Sequence, residues 1–158
     1  MRFPENAISA AAFHFEKSNG SQLSEFEASE IERHGLSEID PELVAKELRA
    51  AVHDNYKTDS TYRQQAYWAL GKRFDSALIP FLRERLQLEL RRDLIAVYEI
   101  MIALDNLEEP VFSNLRDCSV AMHEYELNRK DAEAYLDALP KRKRAEQDED
   151  GKASPAIS

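Results

Sequence analysis

Cysteine occurs once in the 158 residues, as Cys118, tryptophan once, as Trp68, and glycine only four times. A single thiol excludes an intramolecular disulfide and any zinc site built on several thiolates. Taken alone, Cys118 reads as a small, partly buried helix residue. No stretch reaches the ~20 consecutive apolar residues that a membrane-spanning helix needs. The opening segment has Arg2, Pro4 and Glu5, then a short Ala-rich patch cut by His14 and Glu16, which is not the pattern of a secretory signal. A reducing cytoplasm is the expected compartment. Glycine-based phosphate and nucleophile signatures (P-loop, G-x-G-x-x-G, G-x-S-x-G) are missing. His14, His34, His53 and His123 fall on four separate predicted helices or helix ends, with no i, i+4 pair and no H-E-x-x-H. No metal site, cofactor or catalytic residue is therefore signalled. An enzyme would have to be assembled from carboxylates that meet only in the fold.

What the chain does have is charge and helix formers. Hydrophobic residues make up 43% and charged residues 32%, which suits a soluble, helix-rich domain with solvated faces. Little glycine, few β-branched runs and abundant Ala, Leu, Glu and Arg predict an all-α fold. The net charge is −9, and residues 1–60 supply most of it, with 12 acidic against 6 basic residues. Such a field opposes binding to a phosphate backbone and favours a basic partner, although acidic faces also serve solubility alone.

The helices can be placed from their ends. Residues 4–18 carry Ile8, Ala11, Ala12 and Phe15 at helical spacing, and Asn19-Gly20 stops them. Ser24-Glu25-Phe26-Glu27 reads as a capping box for a helix over 25–34, with Phe26, Ala28 and Ile31 as a thin apolar stripe and Gly35 as its stop. Asp40-Pro41 starts the next helix, which runs to about His53 along Val44, Leu48, Ala51 and Val52. The polar run 54–59 breaks the pattern. Asp59 or Ser60 then caps a helix over 61–72 that Gly71 helps to end. Asp75 or Ser76 starts one over 76–89 with Leu78, Leu82, Leu86 and Leu90 on one stripe. Residues 93–105 are apolar nearly all round, which belongs at the centre of a fold. Pro110 is expected to open a helix over 110–117, and Tyr135, Leu136 and Leu139 mark a last one ending before Pro140. Residues 1–140 thus form one domain. Residues 141–158, with Lys141-Arg142-Lys143-Arg144 beside an acidic run, read as a disordered charged tail.

A helix-pair pattern occurs twice. An offset of 34 residues brings Ala66 onto Ile100, Ala69-Leu70 onto Ala103-Leu104, Leu78 onto Phe112 and Phe81 onto Leu115. Every matched pair is apolar, and the small residue beside each Leu would let two helices approach closely. Arg63, Ala66, Ala69-Leu70-Gly71, Asp75, Ala77-Leu78-Ile79-Pro80 and Leu82 resemble a short HEAT-type repeat, of the kind also found in phycobilin lyases. The resemblance covers about residues 59–117, and its second unit lacks the Gly and the well-placed Pro. Tetratricopeptide repeats share the period, but the Trp-to-Leu spacing of Trp68-Ala69-Leu70-Gly71 does not suit them. The resemblance implies a short HEAT-like stack of antiparallel helix pairs, an α-α superhelix, and says little about activity.

Such stacks usually hold partners. The sequence therefore nominates a non-catalytic, acidic protein-binding module, similar to bacterial immunity proteins that neutralise toxins. Glu27, Glu30, Glu32, Asp40 and Glu42 would meet a basic protein partner, and helices 76–89 and 110–117 would line the gripping face with Arg83 and Gln87. Trp68, clustered with Tyr62 and Tyr67, is either packing between helices or an anchor facing a groove. Arg83, Arg85, Arg91 and Arg92 could receive an anion, or pair with Glu84, Glu89 and Asp93 nearby. The alternatives are a HEAT-like enzyme, either a lyase for an anionic tetrapyrrole or a DNA-base glycosylase, and a structural adaptor subunit. No nucleic acid and no membrane are expected as partners.

Overall fold

The computed structural model of the chain describes residues 3–53, 59–113 and 122–152, with only the backbone described for 140–152. Cys118, the stretch 114–117 of the expected helix after Pro110, the run 54–58 and residues 153–158 lie outside the described residues. All the regular structure described is helical: α1 (Ile8–Ser18), α2 (Glu25–Arg33), α3 (Pro41–His53), α4 (Ser60–Gly71), α5 (Ile79–Glu89), α6 (Leu94–Asp105) and α7 (Tyr125–Lys152). Short 3-10 turns, Glu5–Ala7 and Ser76–Leu78, lead into α1 and α5.

The caps explain the starts. Ser24 Oγ accepts from Glu27 N at 3.2 Å, Asp40 Oδ1 from Glu42 N at 2.8 Å, and Asp59 Oδ1 from Thr61 N at 2.9 Å. Asp75 Oδ1 accepts from Ala77 N at 2.9 Å. Asp93 serves twice: one carboxylate oxygen caps Ile95 N at 3.0 Å and the other accepts from Gln64 Nε2 at 2.8 Å, tying α6 to α4. Each satisfies first-turn N–H groups that the helix itself leaves unbonded.

The stops follow one geometry with two kinds of residue. Gly20 and Gly35 have positive φ. The residue after each bonds back to the helix: Ser21 N to Glu16 O at 2.9 Å and Leu36 N to Ile31 O at 3.0 Å. After α6 the same left-handed position is held by Glu108, with φ of 62°, and Glu109 N reaches Leu104 O at 3.1 Å. This turn sends the chain away from α6, and residues 110–113 are not helical. The sequence reading that Pro110 opens a helix is corrected there: Val111 N bonds to Glu109 O at 2.8 Å in a tight turn. Gly71 is the last residue of α4, the end expected of it, although it reaches that end without positive φ. The left-handed residue beyond α4 is Phe74, with φ of 51°.

Packing runs α1 against α4, α4 against α6, and α6 against α7, with α3 lying on α1 and α4 and α5 lying on α6 and α7. Leu78, Leu82 and Leu86 are buried and Leu90 is half-buried, so the expected stripe of the 76–89 segment is real. Each fully buried leucine contributes on the order of 1.5–3 kcal/mol. α6 buries Ala96, Val97, Ile100, Met101, Ala103 and Leu104 among α4, α5 and α7, the central place its composition demanded. α2 is different. It packs on α1 through Ile31, while Phe26 is 66% exposed and Ala28 is exposed, so the stripe expected of it is reduced to one residue. His14 pins the start of α3 to α1 by donating from Nε2 to Ile39 O at 2.7 Å.

α4 and α6 are the pair that the 34-residue offset superimposes, and they lie side by side at the core. Ala66, Ala69, Leu70, Ile100, Ala103 and Leu104 are all buried. The second half of the second unit is not helical over 110–113. α7 continues along its backbone past Pro140 to Lys152, beyond the expected end. The run from Lys141 to Gln147 consists of strong helix formers, which favours continuation of the helix after the hydrogen bond that Pro140 cannot donate.

Gly71 has its use in the α4–α6 contact. A Cβ there would lie 3.2 Å from Ala103 Cβ and 3.4 Å from its Cα. Gly71→Val should lower stability by about 1–3 kcal/mol through overpacking against a helix that cannot yield. Gly71→Ala should change it much less, because the gain in helix propensity of about 1 kcal/mol offsets the crowding. Urea unfolding of both variants checks this; a neutral Gly71→Val would show that the two helices are not held at this spacing.

Candidate functional site

Among the described residues one carboxylate is fully buried. Glu89, at the end of α5, is 0% exposed. Its Oε1 accepts from Arg63 Nε at 2.8 Å and from the Tyr67 hydroxyl at 2.9 Å, and its Oε2 accepts from the Arg63 terminal nitrogen Nη2 at 3.4 Å. Arg63 and Tyr67 sit one turn apart on α4, so both face the same point on α5. The Tyr67 hydroxyl is used in both directions, accepting from Arg85 Nε at 2.9 Å. Burial first, and then the Glu89 charge, hold the Tyr67 hydroxyl above its ordinary range, so it remains a donor.

A second cluster repeats this scheme on another side of α5. Arg83 Nε donates to the Tyr135 hydroxyl at 2.8 Å, and that hydroxyl donates to Glu109 Oε1 at 2.9 Å. Arg83 also bonds Glu109 directly through Nη2. The left-handed Glu108 is what turns Glu109 toward the pair, a backbone strain of about 1–2 kcal/mol for a non-Gly residue. Arg83 thus joins α5, α7 and the turn after α6.

Of the residues nominated from sequence, five lie on α2 or at the start of α3, Arg83 and Gln87 share a groove on α5, and Trp68 lies on α4. Glu27, Glu30 and Glu32 lie along α2, and Asp40 and Glu42 stand where α3 begins. Glu30 is engaged by Arg33 at 3.1 Å and lies 3.6 Å from His34. Glu42 meets Arg49 at 3.4 Å and Arg73 at 3.5 Å. Glu27 and Glu32 have no ion-pair partner among the described residues, and neither do Glu25 and Glu38. Trp68 is half-buried against the core, with the Lys72 ammonium 5.7 Å from its ring centroid and Lys72 in turn 3.4 Å from Glu16. Part of the ring packs on the core and part stays accessible. Arg83 and Gln87 line a groove of about 1040 Å³ between α5 and α7, shared with Arg91, Arg129, Glu133 and Leu136. The expected pairing of Arg85 with Glu89 is present as a loose contact of 3.7 Å.

Sequence reasoning missed Arg63, Tyr67 and Glu89 as one group, and Phe26 as a surface residue. A signal for the first existed: Arg63 and Tyr67 stand one turn apart, on the same face of α4 as the apolar Ala66 and Leu70. Their acceptor lies 26 and 22 positions further on, which no local spacing identifies. No protein-family model, curated protein or solved structure matches the chain. Among the described residues no helix is long and apolar enough to cross a membrane.

Glu89→Ala should lower stability by about 3–5 kcal/mol, because it leaves buried guanidiniums without their carboxylate. Tyr67→Phe should cost about 1–3 kcal/mol. The double variant should fall short of the sum, which chemical denaturation of all three chains will reveal; strict additivity would mean that the hydroxyl and carboxylate act separately. A further test concerns Glu99 on α6. Burial raises its carboxyl above the ordinary range, against a smaller opposing pull from Lys72. A carboxyl whose pKa is higher folded than unfolded binds more protons in the folded state, so its contribution to stability falls as pH rises through that range. Glu99→Gln should therefore be more stable than the parent above the raised pKa, and the advantage should vanish as pH falls below the unfolded value of about 4.3. Thermal melts from acid to neutral pH measure the difference, and parallel curves would contradict it.

Proposed function

We propose that the chain is a non-catalytic, cytoplasmic binding protein whose α2–α3 face receives a basic protein partner, in the manner of a toxin-neutralising immunity protein. The observation that carries this reading is Phe26. It stands 66% exposed on a helix that also exposes Glu25 and Glu32, with Glu27 half-buried between them. An aromatic ring left in water on a nine-residue helix contributes nothing to this fold, but it gains its burial free energy when a partner covers it. The residues from Glu25 through Glu42 include seven acidic side chains against one Arg, and the helix beneath them is held by α1 alone among the elements described. Charge of one sign steers a basic surface to this face, and Phe26 supplies the desolvated contact at its centre. A short, rigid helix presenting carboxylates can cover a cationic active site without any chemistry of its own.

The test is binding by the parent chain and two variants to a partner recovered from the native host. Glu27→Lys with Glu32→Lys should slow association by about tenfold or more and flatten its salt dependence. Phe26→Ala should raise the dissociation rate by about tenfold or more with little effect on association. Binding that ignores salt and both variants would overturn the proposal.

A further inference from the structure

A second surface, independent of the acidic face, is built around Arg85. This residue is 3% exposed, which is deep for a guanidinium. Its Nε is committed to the Tyr67 hydroxyl at 2.9 Å. The carboxylate nearest to it, Glu89, is 3.7 Å from Nη2, beyond hydrogen-bond reach. Glu89 is instead held toward α4, where its oxygens accept from Arg63 and Tyr67. The two terminal nitrogens of Arg85 therefore keep their donors, with no acceptor at hydrogen-bond distance among the described residues.

Arg85 forms part of the wall of a pocket of about 340 Å³. The other lining residues are His53 from the end of α3, Leu88 on α5, Arg92 just beyond it, and one carboxylate, Glu84. Two guanidiniums and an imidazole thus surround this space against a single acid. The terminal nitrogens of Arg85 are not sealed from solvent, so their unused donors are open to water or to an anion in this pocket. The guanidinium fork matches the two oxygens of a carboxylate or phosphate.

We propose that this pocket binds a small oxyanion, phosphate or carboxylate, held by the terminal nitrogens of Arg85 at its base and by Arg92 and His53 at its rim. Recognition is by charge and by the paired donors, and Leu88 supplies an apolar wall that excludes water from one side. No covalent step is involved.

The experiment titrates the full-length chain with inorganic phosphate, and separately with acetate, at constant ionic strength. The Arg85 Nε–Hε resonance is followed by NMR. The expected result is a saturable displacement with one or both anions, with Kd in the range of about 1–10 mM for so small a ligand. His53→Ala combined with Arg92→Ala touches neither Glu89 nor Tyr67 and should weaken binding about tenfold, with an unchanged far-ultraviolet spectrum. Arg85→Lys keeps the charge but loses the fork and should abolish saturation. If that variant does not fold, the rim double variant decides. A response to phosphate alone or to acetate alone still supports the site and names its ligand. A displacement that never saturates, or one that is equal in the rim double variant, would overturn the proposal.

Discussion

The carboxylate of Glu89 is the constraint around which the middle of this molecule is arranged. α5 packs its backbone against α6 and α7, and its connection to α4 is made by long polar side chains: Arg63 and Tyr67 from one helix, Glu89 and Arg85 from the other. A buried ion pair gains little over a well-packed apolar contact, but removing half of it is expensive. That asymmetry favours a specific register. α5 can sit against α4 only where Glu89 meets both donors, and an apolar seam of leucines would tolerate a slip that this network does not.

The second Arg–Tyr–Glu group gives α5 a similar fixture on its other side. Residues 83 and 85 are two apart on a helix, so their side chains leave it in nearly opposite directions. Arg85 turns to α4, and Arg83 turns to Tyr135 of α7 and to Glu109. In both groups a tyrosine hydroxyl passes between guanidinium and carboxylate as acceptor and donor. The helix is thus braced on two sides by charge-assisted hydrogen bonds, while Leu82 and Leu86 hold it on the core. The groove next to Arg83 and the pocket beside Arg85 follow from this bracing, since cationic side chains occupy both flanks of one helix.

The acidic face has the opposite construction. α2 is held through Ile31 and by Leu36, which buries itself beyond the Gly35 turn. Nothing polar locks its outer surface except the pairing of Glu30 with Arg33 and His34. A helix attached so lightly can keep unpaired carboxylates and an exposed ring facing outward without straining the core.

Local rules made much of this legible. Ser24, Asp40, Asp59, Asp75 and Asp93 cap helices because a short polar side chain next to an apolar run has one good use, and Gly20 and Gly35 stop helices because they can take positive φ. The apolar periods of α3, α5 and α6 located the core for the same reason: a helix must bury the face on which its hydrophobic residues recur. The five acidic candidates on α2 and α3 were legible as a run of charge. Glu108 was not legible as a helix stop, since a side chain at positive φ is imposed by neighbours and not favoured by its own type. Phe26 kept helical spacing yet stayed exposed, and the partner of Arg63 lay 26 positions away, beyond the reach of any local spacing. By itself the sequence determined most of the helical segments from α1 to α6, where they begin, and the apolar faces of α3, α5 and α6, because those depend on groups within a few residues of one another. Which carboxylate meets which guanidinium, which small residues touch across α4 and α6, and which aromatic ring is left in water were decided only by the tertiary structure. The pairs Arg63–Glu89 and Arg83–Glu109 each join positions 26 residues apart, and no local preference acts over that distance.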